Sequence, residues 1–81
     1  MPSNNQKIFF RENLKFLRER KLKSQEQLAL ALGCSRAKIA ALESGHTKSP
    51  QPEDYLNVSN YFKISVDSLL KINLKKLGEL Q

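Results

Sequence analysis

The sequence is short of the residues on which several protein classes depend. It has one cysteine and one histidine among 81 residues. Neither an internal disulfide nor a metal-ligand cluster of ordinary spacing can be built from these two. No apolar run is long enough to span a bilayer, and no signal peptide is recognisable. We therefore expect a protein of a reducing cytoplasm, without metal, cofactor or membrane attachment.

Length and charge narrow the class further. The chain can form one small domain and no second core. Its formal net charge of +6 suits a polyanionic partner, although such a charge can also serve solubility alone. The serine and lysine residues show no nucleophile–base arrangement, so we do not expect an enzyme. The helical faces are typical of mutual packing rather than of contact with lipid.

The strongest local pattern lies in the stretch SQEQLALALGCSRAKIAALESG. Ser24 is a good N-cap, and Gln27 completes a capping box. Gly33 suits the left-handed end of a first helix, Ser35 can cap a second helix, and Gly45 can close it. Two helices this short, joined by so tight a turn, must cross steeply, which is the geometry of a helix-turn-helix.

Apolar periodicity predicts three more helices around this pair. The pair itself comprises helix 2, expected over 25–32, and helix 3, expected over 36–44. Helix 1 is expected over 8–21, helix 4 is expected to begin at Pro52, and helix 5 is expected over 66–71. The predicted fold is all-α, with five compact helices over residues 8–71 and a flexible tail over 1–7. The apolar and basic tail over 72–81 could cover Phe9 and Phe16, contact a second chain or open a longer region, and we favour a dimer contact.

The same stretch follows the pattern Q-x-x-L-A-x-x-L-G-x-S-x-x-x-I-x-x-L-E-x-G. This pattern resembles the helix-turn-helix of the lambda-repressor-like (Cro/cI, or XRE-type) DNA-binding domains, with similarity over residues 10–70. The resemblance implies a compact lambda-repressor-like domain whose helix 3 enters a DNA major groove. It further implies a prokaryotic or phage-encoded protein associated with the nucleoid. It also implies an ion pair between Arg18 and Glu43 that links helix 1 to helix 3.

Helix 3 is predicted to turn Ile39 and Leu42 inward and a face built mainly of alanines outward. Small side chains let a helix backbone sit deep in a groove, their methyl groups can contact thymine methyls, and a guanidinium can donate twice to guanine. Lys38 could reach a base edge or only a phosphate. The candidate base-reading residues are Arg36, Ala37, Lys38, Ala40 and Ala41.

Candidate phosphate contacts lie at helix termini and in the loop after helix 3. Free N–H groups at a helix N-terminus favour phosphate, and family members place a glutamine there against the DNA backbone. In the family, the loop after helix 3 also lies along that backbone. The resemblance thus implies phosphate contacts by Gln25, Ser35, Ser44, Thr47 and Lys48.

Some positions depart from the family pattern or need a packing assignment. Lys23 replaces a usual apolar residue, and Leu22 is expected to take over its packing. Lys63 stands where the family often has a glycine. Cys34 is expected to be a half-buried hydrophobe rather than a redox sensor. The expected buried side of helix 4 comprises Tyr55, Leu56, Val58, Ser59 and Phe62.

The predicted function is sequence-specific binding of double-stranded DNA by a homodimeric transcriptional regulator, most simply a repressor. Its helix 3 copies would meet half-sites of a pseudo-palindromic operator. The alternative is a protein-interaction module, an adaptor or antitoxin, on the same fold. Salt-sensitive binding to duplex would separate the two. No small-molecule ligand is evident from the sequence.

Overall fold

The computed structural model describes residues 8–45 and 50–79, and this part of the chain is all-helical. Five of its helices match the predicted elements, and residues 74–79, expected as part of a tail, form a sixth. Helix α1 is two residues shorter at its start and one shorter at its end than predicted. The helices are α1 Phe10–Arg20, α2 Gln25–Leu32, α3 Arg36–Ser44, α4 Pro52–Phe62, α5 Val66–Lys71 and α6 Leu74–Glu79.

Local capping fixes the ends of α2 and α3 where the sequence predicts them. The Ser24 hydroxyl accepts from the Gln27 amide at 3.0 Å, and the Gln27 side chain accepts from the Ser24 amide at 2.8 Å. Gly33 and Gly45 end the two helices with φ of +75° and +83°, a left-handed conformation that costs glycine little. The Ser35 hydroxyl caps α3. The predicted starts and ends of both helices are confirmed.

The core lies between α1, the α2–α3 pair and the α4–α5 pair. The Phe10 and Tyr55 rings meet edge-to-face with centroids 4.7 Å apart, which joins α1 to α4. The buried apolar side chains are Phe10, Leu14, Leu17, Leu28, Ala29, Ile39, Leu42, Val58 and Leu69.

In the described residues, no helix combines the length and the apolar character that a membrane span requires.

The turn between α1 and α2 corrects the packing expected of Leu22. This side chain is 88% exposed, and its backbone is left-handed with φ of +58°. The turn is set by backbone bonds, because the Leu22 and Lys23 amides donate to the carbonyls of Glu19 and Arg18. Leu22 therefore points to solvent and does not replace the apolar residue usual at the next position.

The predicted buried side of α4 is wrong at Leu56 and otherwise holds, because Tyr55, Val58, Ser59 and Phe62 are buried or half-buried. Leu56 is 55% exposed, whereas Asp54 is buried. The Asp54 carboxylate accepts from the Gln51 amide at 2.8 Å and lies 3.2 Å from the Lys38 amine. Because these contacts satisfy the carboxylate, α4 can direct Asp54 inward and leave Leu56 in solvent. Lys63 ends α4 in a left-handed conformation, φ +60°, without the usual glycine.

Helix α6 folds back on α1 around a buried asparagine. The fully buried Asn13 amide donates to the Leu69 and Ile72 carbonyls, both at 2.7 Å, and its oxygen accepts from the Leu74 amide at 3.0 Å. Gly78 then lies against the Phe16 ring. Covering Phe16 is one of the roles that the sequence left open for these residues.

Candidate nucleic-acid interface

Helix α3 has one face in the core and the opposite face open. Ile39 and Leu42 are buried at 0% and 4% exposure. On the other side Ala37 is exposed, and Ala40 and Ala41 are half-buried. The outward face of this helix is therefore lined by the methyl groups of three alanines.

A buried ion pair between α1 and α3 fixes the inner side of α3. Arg18 Nε lies 2.7 Å from Glu43 Oε2, and Arg18 Nη2 donates to Glu43 Oε1 at 3.0 Å, so the pair is bidentate. Their side chains are only 11% and 5% exposed. The hydrogen bond with Glu43 raises the pKa of Arg18 above its ordinary value. A further Arg18 hydrogen bond, from Nη1 to the Lys23 carbonyl at 2.8 Å, ties the α1–α2 turn to the same group.

Gln25, predicted to contact a phosphate, is drawn into this network. Its side-chain amide donates to Glu43 Oε1 at 3.0 Å, so Glu43 accepts from both α1 and α2. Gln25 is half-buried and stands in the first turn of α2. The structure thus gives Gln25 a bracing contact, which leaves its phosphate contact as a prediction.

The other predicted phosphate residues lie at the ends of α3 or outside the described residues. Ser35 caps the start of α3, and the Ser44 hydroxyl lies 3.4 Å from the Ala41 carbonyl. Both serines are exposed. Thr47 and Lys48 fall in the segment 46–49, outside the described residues.

The Lys38 side chain contacts α4. Its amine lies 3.2 Å from the Asp54 carboxylate, at the start of α4. This ion pair holds the Lys38 amine beside the neighbouring helix, and its contact with a base edge or a phosphate stays a prediction. The capping-box spacing from Gln51 to Asp54 could have indicated that this carboxylate was structurally engaged.

Arg36, unlike Lys38, is a cation on this face without an ion-pair partner in the described residues. It opens α3 and is exposed. Within 8–45 and 50–79 its guanidinium is in no hydrogen bond or ion pair.

Cys34, in the turn before α3, packs against the core as predicted, and burial raises the pKa of its thiol. In the same two ranges, no group of three histidine, cysteine, aspartate or glutamate side chains could hold a metal ion.

Known proteins place the chain in the class that this geometry suggests. The sequence pattern of the helix-turn-helix family matches residues 14–69. An HTH-type transcriptional regulator of Bacillus subtilis (strain 168), YqaE, itself described as uncharacterized, is 39% identical over 62 residues. This match covers 76% of the chain and 53% of the relative, so the chain spans about half the length of that protein.

Solved structures agree with the sequence match. A transcriptional regulator from Listeria innocua has a TM-score of 0.71 and 30% identity, over 79% of this chain and 59% of that one. The iron(II) protein HppE, solved with its substrate, has a TM-score of 0.66 and 26% identity, but the match covers only 35% of its chain. The family match spans most of the sequence, and with the observed α2–α3 geometry it shows that this chain belongs to the lambda-repressor-like (XRE-type) helix-turn-helix family of DNA-binding proteins.

Proposed function

We propose that this protein is a transcriptional regulator, most simply a repressor, that binds double-stranded DNA sequence-specifically through the outward face of α3. The observation that carries the proposal is the combination of a methyl-lined face with a free guanidinium at its start. Ala37 is exposed there, and Arg36 is without a partner in the described ranges.

The chemistry of the major groove suits this face. A helix with alanine side chains can bring its backbone close to the floor of the groove, and the methyl groups of Ala37 and Ala41 can contact thymine methyls. The Arg36 guanidinium can donate two hydrogen bonds to O6 and N7 of one guanine. Each half-site should therefore contain one guanine beside thymines, with Ala40 at the edge of the contact.

Phosphate contacts would position the protein without selecting a sequence. Ser35 and Ser44 lie at the two ends of α3, and Gln25 begins α2, where helix N–H groups favour an anion. We assign Thr47 and Lys48 to the same role. With its amine at Asp54, Lys38 fits a backbone contact better than a base contact.

The protein would act as a homodimer on a pseudo-palindromic operator. Two copies of α3 related by a two-fold axis can read half-sites about one helical turn apart. Occupancy of such a site would block transcription, which is the simplest regulatory outcome.

Selection of bound duplexes from a random pool tests the proposal. The unaltered protein should select half-sites with a guanine. Arg36→Ala should lose preference at that base pair and bind the original site about 1–3 kcal/mol more weakly. Arg20→Ala is the matched control, because Arg20 lies over Phe16 on the side of α1 away from α3, and it should keep the motif. An unchanged motif for Arg36→Ala would remove the base-reading assignment.

One observation favours the protein-interaction alternative. Leu30 on α2 is 83% exposed, and Leu22 in the preceding turn is 88% exposed. Exposed leucines of this kind suit a protein partner. An adaptor or antitoxin should bind that partner with little preference among duplexes, whereas a regulator should bind operator DNA with an affinity that falls steeply with salt.

A further inference from the structure

A second arginine lies across the C-terminal end of α3. A Cβ added at Gly45 would lie 2.9 Å from Arg11 Cζ and 3.0 Å from Arg11 Cδ. The side chain of Arg11 thus passes directly over the backbone that closes α3. The φ of +83° at residue 45 favours glycine, and a larger residue there would require the flexible end of Arg11 to move aside.

The placement follows from the register of α1. Arg11 and Arg18 are seven residues apart, about two helical turns, so both leave α1 on the side of α3. Arg18 is buried on Glu43, whereas Arg11 is exposed. Arg11 also lines a cleft of about 290 Å³ together with Ala41 and Gly45. Its guanidinium therefore stands at the edge of the outward face of α3.

The guanidinium of Arg11 has N–H donors without an acceptor in the described residues. A cation beside the C-terminal end of α3 is favoured by the helix dipole, which accounts for its position. A guanidinium carries five N–H donors. Among residues 8–45 and 50–79 no hydrogen bond or ion pair occupies them.

The two free arginines bracket α3. Arg36 is at its first residue, and Arg11 lies over the residue that closes it. The nine-residue helix is about 13 Å long, close to the major-groove width of about 12 Å. Because the N-terminal residues of such a helix contact base edges, its C-terminal end lies nearer the sugar–phosphate backbone.

We propose that Arg11 is a phosphate-contacting residue that fixes the C-terminal end of α3 against the DNA backbone. The inference rests on the proposed function and adds a positioning residue to it. Arg11 would hold the depth and tilt of α3 in the groove, while Arg36 reads the base. As a backbone contact, Arg11 would contribute to binding of every sequence.

The test measures duplex affinity against salt concentration for the full chain and its variants. The unaltered protein is compared with Arg11→Gln, Arg11→Lys and Arg20→Gln on the selected duplex and on one of unrelated sequence. Arg20→Gln makes the same change on the same helix, on the side facing away from α3. Thermal unfolding of each variant shows whether a loss of affinity comes from a loss of fold.

Arg11→Gln should reduce the slope of log K against log salt by about 0.9 and weaken both duplexes about five- to tenfold at moderate salt. Its selected motif should not change. Arg11→Lys should recover most of the slope, and Arg20→Gln should keep it.

An unchanged slope for folded Arg11→Gln, or an equal reduction for Arg20→Gln, would overturn the assignment of Arg11 and leave the proposed function standing. If the unaltered protein binds neither duplex with a salt dependence, the proposed function fails, and the role of Arg11 fails with it.

Discussion

Glu43 is the residue on which three helices converge. Its carboxylate accepts from Arg18 on α1 and from Gln25 on α2, while its own backbone belongs to α3. A planar, bidentate pair of this kind fixes orientation more than it adds net stability. The network thus sets how far α3 stands out from the domain, and this projection determines whether its alanines can reach a groove.

Removing Glu43 should destabilise the domain, because Arg18 would remain buried without its partner. We expect Glu43→Ala to lower the free energy of unfolding by about 3–5 kcal/mol, measured by urea denaturation followed by circular dichroism. Glu19→Ala is the control. Its carboxylate is 4.0 Å from Arg18 and 58% exposed, so its loss should cost less than about 1 kcal/mol. Equal losses for the two variants would refute the bracing role of Glu43.

At the scale of the element, the contact between α1 and α6 depends on Asn13. One side chain satisfies two carbonyls and one amide of the segment that enters α6. An amide is suited to this task because it both donates and accepts. Without it, these backbone groups would be buried unpaired or would have to reach water.

We therefore expect Asn13→Ala to release α6. Hydrogen exchange should show loss of protection at the amides of 74–79, while those of α2 and α3 keep theirs. The free energy of unfolding should fall by about 1–3 kcal/mol for each group left unpaired. Asn57→Ala, at an exposed position of α4, is the control and should change neither quantity. Full protection of α6 in Asn13→Ala would contradict this account.

The elements that sequence predicts well are those with local boundary signals. Ser24, Gly33, Ser35 and Gly45 act through their own backbone neighbours, so the ends of α2 and α3 are readable without a tertiary structure. The starts of α4 at Pro52 and of α5 at Val66 are predicted for the same reason.

The elements that sequence misses depend on distant partners. Helix α6 needs Asn13, which is about sixty residues earlier in the chain. The burial of Asp54 depends on Lys38, which lies on another helix, and Leu56 is exposed although it was predicted to be buried. At the interface, the outward alanines follow from periodicity alone, whereas the engagement of Lys38 and the position of Arg11 over Gly45 require the packed structure.

At the scale of the whole molecule, two surfaces have different proposed roles, DNA binding and contact with a second copy. The α3 face carries Arg36 and Arg11 at its two ends, and a net charge of +6 favours approach to a polyanion. On the far side, α6 covers Phe16, while Ile72 and Leu77 stay 40% and 46% exposed. Within 72–79, these two side chains are the exposed apolar ones that suit the proposed contact with a second copy.

The most direct test of the central claim places a carboxylate on the outward face of α3. Ala37→Glu would set a negative charge against phosphates and base edges, and like-charge contact costs several kcal/mol. Ala31→Glu makes the same change at an exposed position of α2. We predict that Ala37→Glu weakens binding to the selected duplex more than about a hundredfold, whereas Ala31→Glu, screened from the duplex by salt, weakens it less than about threefold. Equal affinities for the two variants would contradict the account.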